Sequence, residues 1–192
     1  MRIFSTLYAK VISLAGHPHA VHYLAGLSFA ESSFFPIPPD VMLAPMTLAN
    51  PRRAWFLAAL TTTASVLGGI AGYAIGLLAF DLIEPLLHRA GHWQAYLQAR
   101  EWFAVWGFWA VLLAGFSPIP YKIFTIAAGV AALSFPLFVI ASIIGRGARF
   151  FLVAGLIYLG GEKMERKLRQ YVEHLGWSLV VLAVIAYLWL RT

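Results

Sequence analysis

Five ionisable side chains stand inside apolar stretches of this chain: Glu31, Asp40, Lys122, Arg146 and Arg149. At about 2.5–3.5 kcal/mol per ionised residue at the centre of a membrane helix, five isolated charges would cost about 12–17 kcal/mol, so they must pair or face water. The two carboxylates belong to the first half of the chain and the three cations to the second, so pairing has to occur between halves. Arg146 and Arg149 are three residues apart and share a helix face. Three cations against two carboxylates leave a positive surplus, and the planar fork of arginine suits phosphate. An amphiphilic phosphate ester would satisfy both the cations and the apolar walls around them. Glu31 and Asp40 are also candidates for proton exchange, because ion pairing and desolvation push their ionisation in opposite directions. The structural alternative is a buried ion-pair cluster that only holds the halves in register.

Other chemistries find less support. Gly115-Phe116-Ser117 superficially resembles an intramembrane serine protease elbow, but the six histidines fall outside the apolar cores and leave Ser117 without a base. The reading is therefore not an enzyme. His17, His19 and His22, and the i,i+4 pair His88 and His92, lack a carboxylate or thiol to complete a metal set and read as solvated interfacial residues. The absence of cysteine removes disulfides, thiol catalysis and thiolate metal sites, so neither metal nor cofactor is expected.

The charges need elements that hold them at depth, and proline supplies the breaks. Phe35-Pro36-Ile37-Pro38-Pro39-Asp40 and Ser117-Pro118-Ile119-Pro120-Tyr121-Lys122 each interrupt an apolar stretch and end in a charge. Pro36, Pro38, Pro118 and Pro120 remove backbone donors and push Phe35, Ile37, Ser117 and Ile119 out of the α region. The apolar run from Val21 to Asn50 would be about 45 Å long as one helix, too long for a hydrocarbon core of about 30 Å, while two full spans need about 40 residues. A hairpin that enters halfway and returns fits both this run and Trp102 to Leu133. The expected fold is all-α and integral to the membrane. It comprises an interfacial N-terminal segment (1–20), a re-entrant hairpin (21–50), a transmembrane helix (53–80), an interfacial segment (81–101), a second hairpin (102–133), a transmembrane helix (135–160), an amphipathic helix (162–175) and a final transmembrane helix (176–191).

Composition agrees: 61% hydrophobic and 11% charged residues, with a mean hydropathy of +0.78, exceed what a soluble domain carries. Arg2 and Lys10 in the first fifteen residues, without a small-residue processing site, predict a retained first segment. The net charge of +6 is concentrated in short loops beside apolar segments, which points to lipid headgroups rather than nucleic acid. Arg2, Lys10, Arg52, Arg53, Lys163, Arg166, Lys167 and Arg169 predict a cytoplasmic side, opposite Arg89, Arg100 and Arg191.

The chain also repeats itself at an offset of roughly 80 residues. Pro36-Ile37-Pro38-Pro39-Asp40 aligns with Pro118-Ile119-Pro120-Tyr121-Lys122, and the block Ala64 to Tyr73 aligns with Ala141 to Phe150. A hairpin plus one span crosses the membrane once, so the second half is expected upside down relative to the first, with a binding region where the breaks meet. Gly68, Gly72 and Gly76 recur every fourth residue on one face and allow another helix close approach.

Together, Glu31-Ser32-Ser33 with the first proline motif, Gly68-Gly69-x-x-Gly72-Tyr73-x-x-Gly76, Phe116-Ser117-Pro118-Ile119-Pro120-Tyr121-Lys122 and Gly145-Arg146-x-x-Arg149-Phe150 resemble the DedA (SNARE-associated, VTT-domain) membrane family and its shorter YqaA-like branch. The resemblance implies a bacterial inner-membrane, multi-pass protein with two facing re-entrant hairpins. It further implies movement of lipids such as undecaprenyl phosphate or phosphatidylethanolamine between leaflets, with proton dependence. The family's acidic pair falls on Glu31 and Asp40 and its arginine pair on Arg146 and Arg149. The combined expectation is a flippase or scramblase for a phosphate-bearing lipid. Arg146, Arg149 and Lys122 bind the headgroup, Glu31 and Asp40 neutralise charge or relay protons, and a homo-oligomer is left open. The rival is a proton-coupled exporter of small cations or drugs, with Glu31 and Asp40 facing the substrate.

Overall fold

The computed structural model describes the backbone of residues 17–35, 37–91, 93–117 and 119–190, with side chains described as far as Lys163. Pro36, Pro118, His92 and most of the expected interfacial segment 1–20 lie outside the described residues, as do the side chains that would define the faces of 164–190.

Proline chemistry sets the path through the first half. Helix α1 (Ala20–Ser33) stops short of the proline run, and helix α2 (Asp40–Ala49) starts immediately after Pro39. A 3₁₀ turn (Pro51–Arg53) leads into the long helix α3 (Ala54–Arg89). The second half repeats the order: α4 (Trp93–Phe116), a break, α5 (Tyr121–Val130) immediately after Pro120, and α6 (Phe135–Leu190), whose path leaves helical geometry at Gly161 (φ 54°). Phe35, Ile37, Ser117 and Ile119 are all non-helical, as expected of residues that precede proline. The described residues contain no strand. Pro51–Leu82 and Phe135–Gly161 are each long and apolar enough to cross a bilayer.

One boundary differs from the sequence reading. Residues 81–101 are not a separate element: α3 continues to Arg89, the chain reverses at Gly91 (φ 72°), and α4 begins at Trp93. Gly91 is the residue there that takes a left-handed conformation without steric cost, while the polar positions Gln94, Gln98, Arg100 and Glu101 are good helix formers. The first arm of the second hairpin is consequently 24 residues, or about 36 Å, long.

Packing exchanges elements between the halves. α1 lies on α3 and α4 on α6, each against the long helix of its own half. The helix after each break does the reverse: α2 packs on α6 and α5 on α3, while α3 and α6 pack on each other. Glycine allows these approaches. A Cβ on Gly68 would run into the Phe29 carbonyl of α1, and one on Gly145, its match in the aligned blocks, would run into the Leu112 carbonyl of α4. Gly76 and Gly129 likewise sit against the Ile126 and Tyr73 carbonyls where α3 crosses α5. Of the expected glycine stripe, Gly68 therefore meets α1, Gly76 meets α5, and Gly72 lies against both, at Ser32 and Thr125.

Two apolar cores result. One joins Leu24, Met42, Leu43, Leu57, Phe150 and Ile157, and the other joins Tyr73, Val111, Tyr121, Ala128 and Phe138. Along α3 the buried Ser65 lies between Ala58 of the first core and Tyr73 of the second, and along α6 the buried Arg146 lies between Phe150 and Ala141. A polar layer thus separates the cores.

Candidate functional site

A guanidinium that is 2% exposed must find its partners inside the protein, and Arg146 does so from the middle of α6. Its Nη2 lies 2.5 Å from Glu31 Oε2 on α1, and its Nε donates to Ser65 Oγ on α3 at 2.5 Å. Ser65 and Ser32 hydroxyls are 2.6 Å apart, and Ser32 Oγ also lies within 3.4 Å of Arg146 Nη2. The flat faces of the guanidinium meet the rings of Tyr121 (4.9 Å) and Phe150 (4.6 Å), an arrangement that holds the fork in plane. Tyr121 in turn donates to Ser142 Oγ on α6.

One helical turn further on, Arg149 joins the two breaks. Its Nη2 lies 2.6 Å from Asp40 Oδ2, at the end of the first break, and its Nη1 donates to the Ser117 carbonyl, in the second, at 2.6 Å. That carbonyl is free because proline chemistry ends α4 there. Asp40 occupies the first turn of α2, where a carboxylate complements the helix N-terminus. Lys122 occupies the first turn of α5, where a cation does not, and its Nζ donates to the Phe35 carbonyl in the first break at 3.1 Å. Among the described residues Lys122 has no carboxylate partner.

Polar capacity remains around Arg149. Arg149 Nε, Ser117 Oγ and Asp40 Oδ1 are buried and find no hydrogen-bond partner among the described residues. Two of these are donors, the guanidinium Nε of Arg149 and the Ser117 hydroxyl, and the third is a carboxylate oxygen.

Four of the five charged residues singled out by sequence form two ion pairs at the polar layer, and the fifth, Lys122, reaches the Phe35 carbonyl. Arg146 and Arg149, expected to act on one face, instead serve different partners on successive turns. The exchange of α2 and α5 between halves brings the charges together: Asp40 reaches α6 because α2 packs there. Pro38 is half-buried two residues before α2 starts, and Pro120 is exposed immediately before α5. The sequence reading assigned no role to Ser32, Ser65, Tyr121 or Phe150. The available signal was hydroxyls within apolar runs, and Ser65 stands opposite Ser142 in the aligned blocks. His17, His19 and His22 are exposed at the start of α1, and His88 stacks on Trp93. No group of three metal-ligating side chains occurs among the described residues.

Comparison with known proteins bears on the same residues. The VTT domain model matches residues 37–159, which begin within the first break and contain α2, α3, the second break and the arginine turn of α6. An uncharacterised protein of Haemophilus influenzae is 50% identical over 191 residues, covering 100% of both chains, and another of Histophilus somni is 47% identical over the same span. The undecaprenyl phosphate transporter A of Staphylococcus aureus is 32% identical over 107 residues, 53% of this chain and 51% of that protein. No solved structure matches. With a domain match across most of its length, over the apolar helices that frame the ion pairs, this chain belongs to the VTT-domain (DedA) family of membrane proteins.

Proposed function

We propose that this protein moves a phosphate-bearing lipid, undecaprenyl phosphate or a glycerophospholipid, between the leaflets of the bacterial inner membrane. In this reading it is a multi-pass protein whose halves are inverted repeats of a re-entrant hairpin and a spanning helix. The observation that carries the proposal is the Arg149 guanidinium, held between both breaks with a spare donor, together with Lys122 reaching from the second break to the first. A phosphate entering between the breaks would take Arg149 from Asp40, receive the Ser117 hydroxyl and draw Lys122 from the Phe35 carbonyl. Asp40, losing its cation, is the candidate group through which headgroup binding would be coupled to protons. Arg146, more deeply enclosed than Arg149, would with Glu31 hold the halves together or pass the proton on. The family match and the similarity to the staphylococcal undecaprenyl phosphate transporter support the lipid class. Both carboxylates already face arginine, which favours an anionic substrate over the cation-exporter alternative.

Reconstitution into liposomes with labelled undecaprenyl phosphate and labelled glycerophospholipids tests the proposal. Exchange between leaflets faster than in empty vesicles is expected for at least one of them. No exchange of any of them by correctly folded protein would overturn it, and proton flux driven by a small cation and indifferent to lipid phosphate would establish the exporter instead.

A further inference from the structure

α4 and α5 fold back on one another after the second break, and their facing sides leave an apolar groove of about 470 Å³. On α5 it is lined by Ile123, Ile126, Ala127 and Val130, and on α4 by Tyr96, Ala99, Arg100 and Phe103, two stripes at the same helical spacing. Tyr96 closes one end by donating to the Val130 carbonyl at 3.2 Å. Arg100 is the sole charged residue of the lining, and the neighbouring Glu101 takes no part in it.

The geometry points to a lipid site here, distinct from the ion-paired layer: one hydrocarbon chain of an anionic phospholipid lies along the groove with its phosphate on Arg100. An apolar wall with a single guanidinium offers nothing to a soluble anion beyond one contact, and offers a peptide no backbone partners. A lipid satisfies both the wall and the cation. From Val130 to Ile123 the groove follows about 10 Å of helix, roughly a third of the hydrocarbon core. Its inner end, at Ile123, adjoins Lys122 and hence the second break. Resting on the lipid-transport reading, the groove is the station at which a lipid waits beside the site, with its chain already aligned to the break.

The test uses the full chain in phosphatidylcholine vesicles containing a small fraction of phosphatidylglycerol with a diazirine in its acyl chain. After photolysis, adducts are expected on Phe103, Ile123 and Ile126 about fivefold or more above those on Trp106 and Trp109 of α4, although both tryptophans are exposed and Phe103 and Ile126 are half-buried. Arg100→Gln, which removes the charge, and Ala127→Trp, which fills the groove, should each lower groove labelling by about fivefold or more. Unchanged melting and elution establish that each variant is folded. Uniform labelling around α4, equal labelling by a diazirine phosphatidylcholine, or labelling indifferent to both substitutions would overturn the inference. Leaflet exchange is read on the same samples. Groove labelling that depends on Arg100 in a protein that exchanges no lipid sinks the transport reading alone, and exchange without groove labelling sinks the groove alone.

Discussion

Arg149 Nη2 lies 2.6 Å from Asp40 Oδ2, and the contact joins the start of α2 to the middle of α6, residues that are 109 apart in the chain. Both side chains are largely enclosed, at 13% and 11% exposure. Removing one partner leaves the other charge buried and unpaired, which costs about 3–5 kcal/mol. Asp40→Ala and Arg149→Ala are each expected to lower unfolding stability in detergent by that order. The double variant Asp40→Ala/Arg149→Ala should fall short of the summed single losses by about 1 kcal/mol or more in a double-mutant cycle. If this double variant is stable and still exchanges lipid at the parent rate, the pair is a staple and not part of the site.

Lys122 separates the two roles more cleanly. Among the described residues its amino group holds only the Phe35 carbonyl, so Lys122→Gln should change stability by no more than about 1 kcal/mol. In vesicles the same variant is expected to lose about tenfold or more in lipid exchange, whereas Lys122→Arg retains most of it. Full exchange by Lys122→Gln would remove Lys122 from the site.

The matched glycines make a prediction about packing. Gly68→Ala and Gly145→Ala each force a methyl group into a backbone carbonyl of the adjacent helix, so each should destabilise the fold by about 1–3 kcal/mol. Gly26, whose added Cβ meets nothing within 4 Å, serves as the control. Thermal unfolding of the three alanine variants in the same detergent gives the comparison, with Gly26→Ala close to the parent.

Backbone strain predicts opposite signs at two turns. Ala132 follows α5 with φ 52°, a conformation that costs an L-residue about 1–2 kcal/mol and glycine little. Ala132→Gly is therefore expected to be neutral or stabilising despite the added freedom of the unfolded chain. Gly91→Ala, at φ 72° between α3 and α4, should destabilise by about 1 kcal/mol. Melting temperatures that move the same way for both would contradict this account.

Much of the molecule follows from local chemistry that a sequence carries openly. Proline excludes helix at its own backbone and at the residue before it, so the breaks after Ser33 and Phe116 and the restarts at Asp40 and Tyr121 were legible. The cost of a lone charge among apolar residues identified Glu31, Asp40, Lys122, Arg146 and Arg149 as residues that need partners. Partner choice was not legible, because it depends on which helix each short arm packs against. α2 packs on α6 and α5 on α3, which brings Asp40 to Arg149 and Lys122 to the Phe35 carbonyl, while the packing of α3 on α6 brings Ser65 to Arg146. The aromatic faces of Tyr121 and Phe150 over Arg146, and the groove between α4 and α5, are likewise matters of distance between segments remote in the chain. Spacing along a sequence constrains neighbours within a turn or two of helix. Which remote backbones come close enough for a glycine, a guanidinium or a lipid chain to matter is decided only when the helices pack.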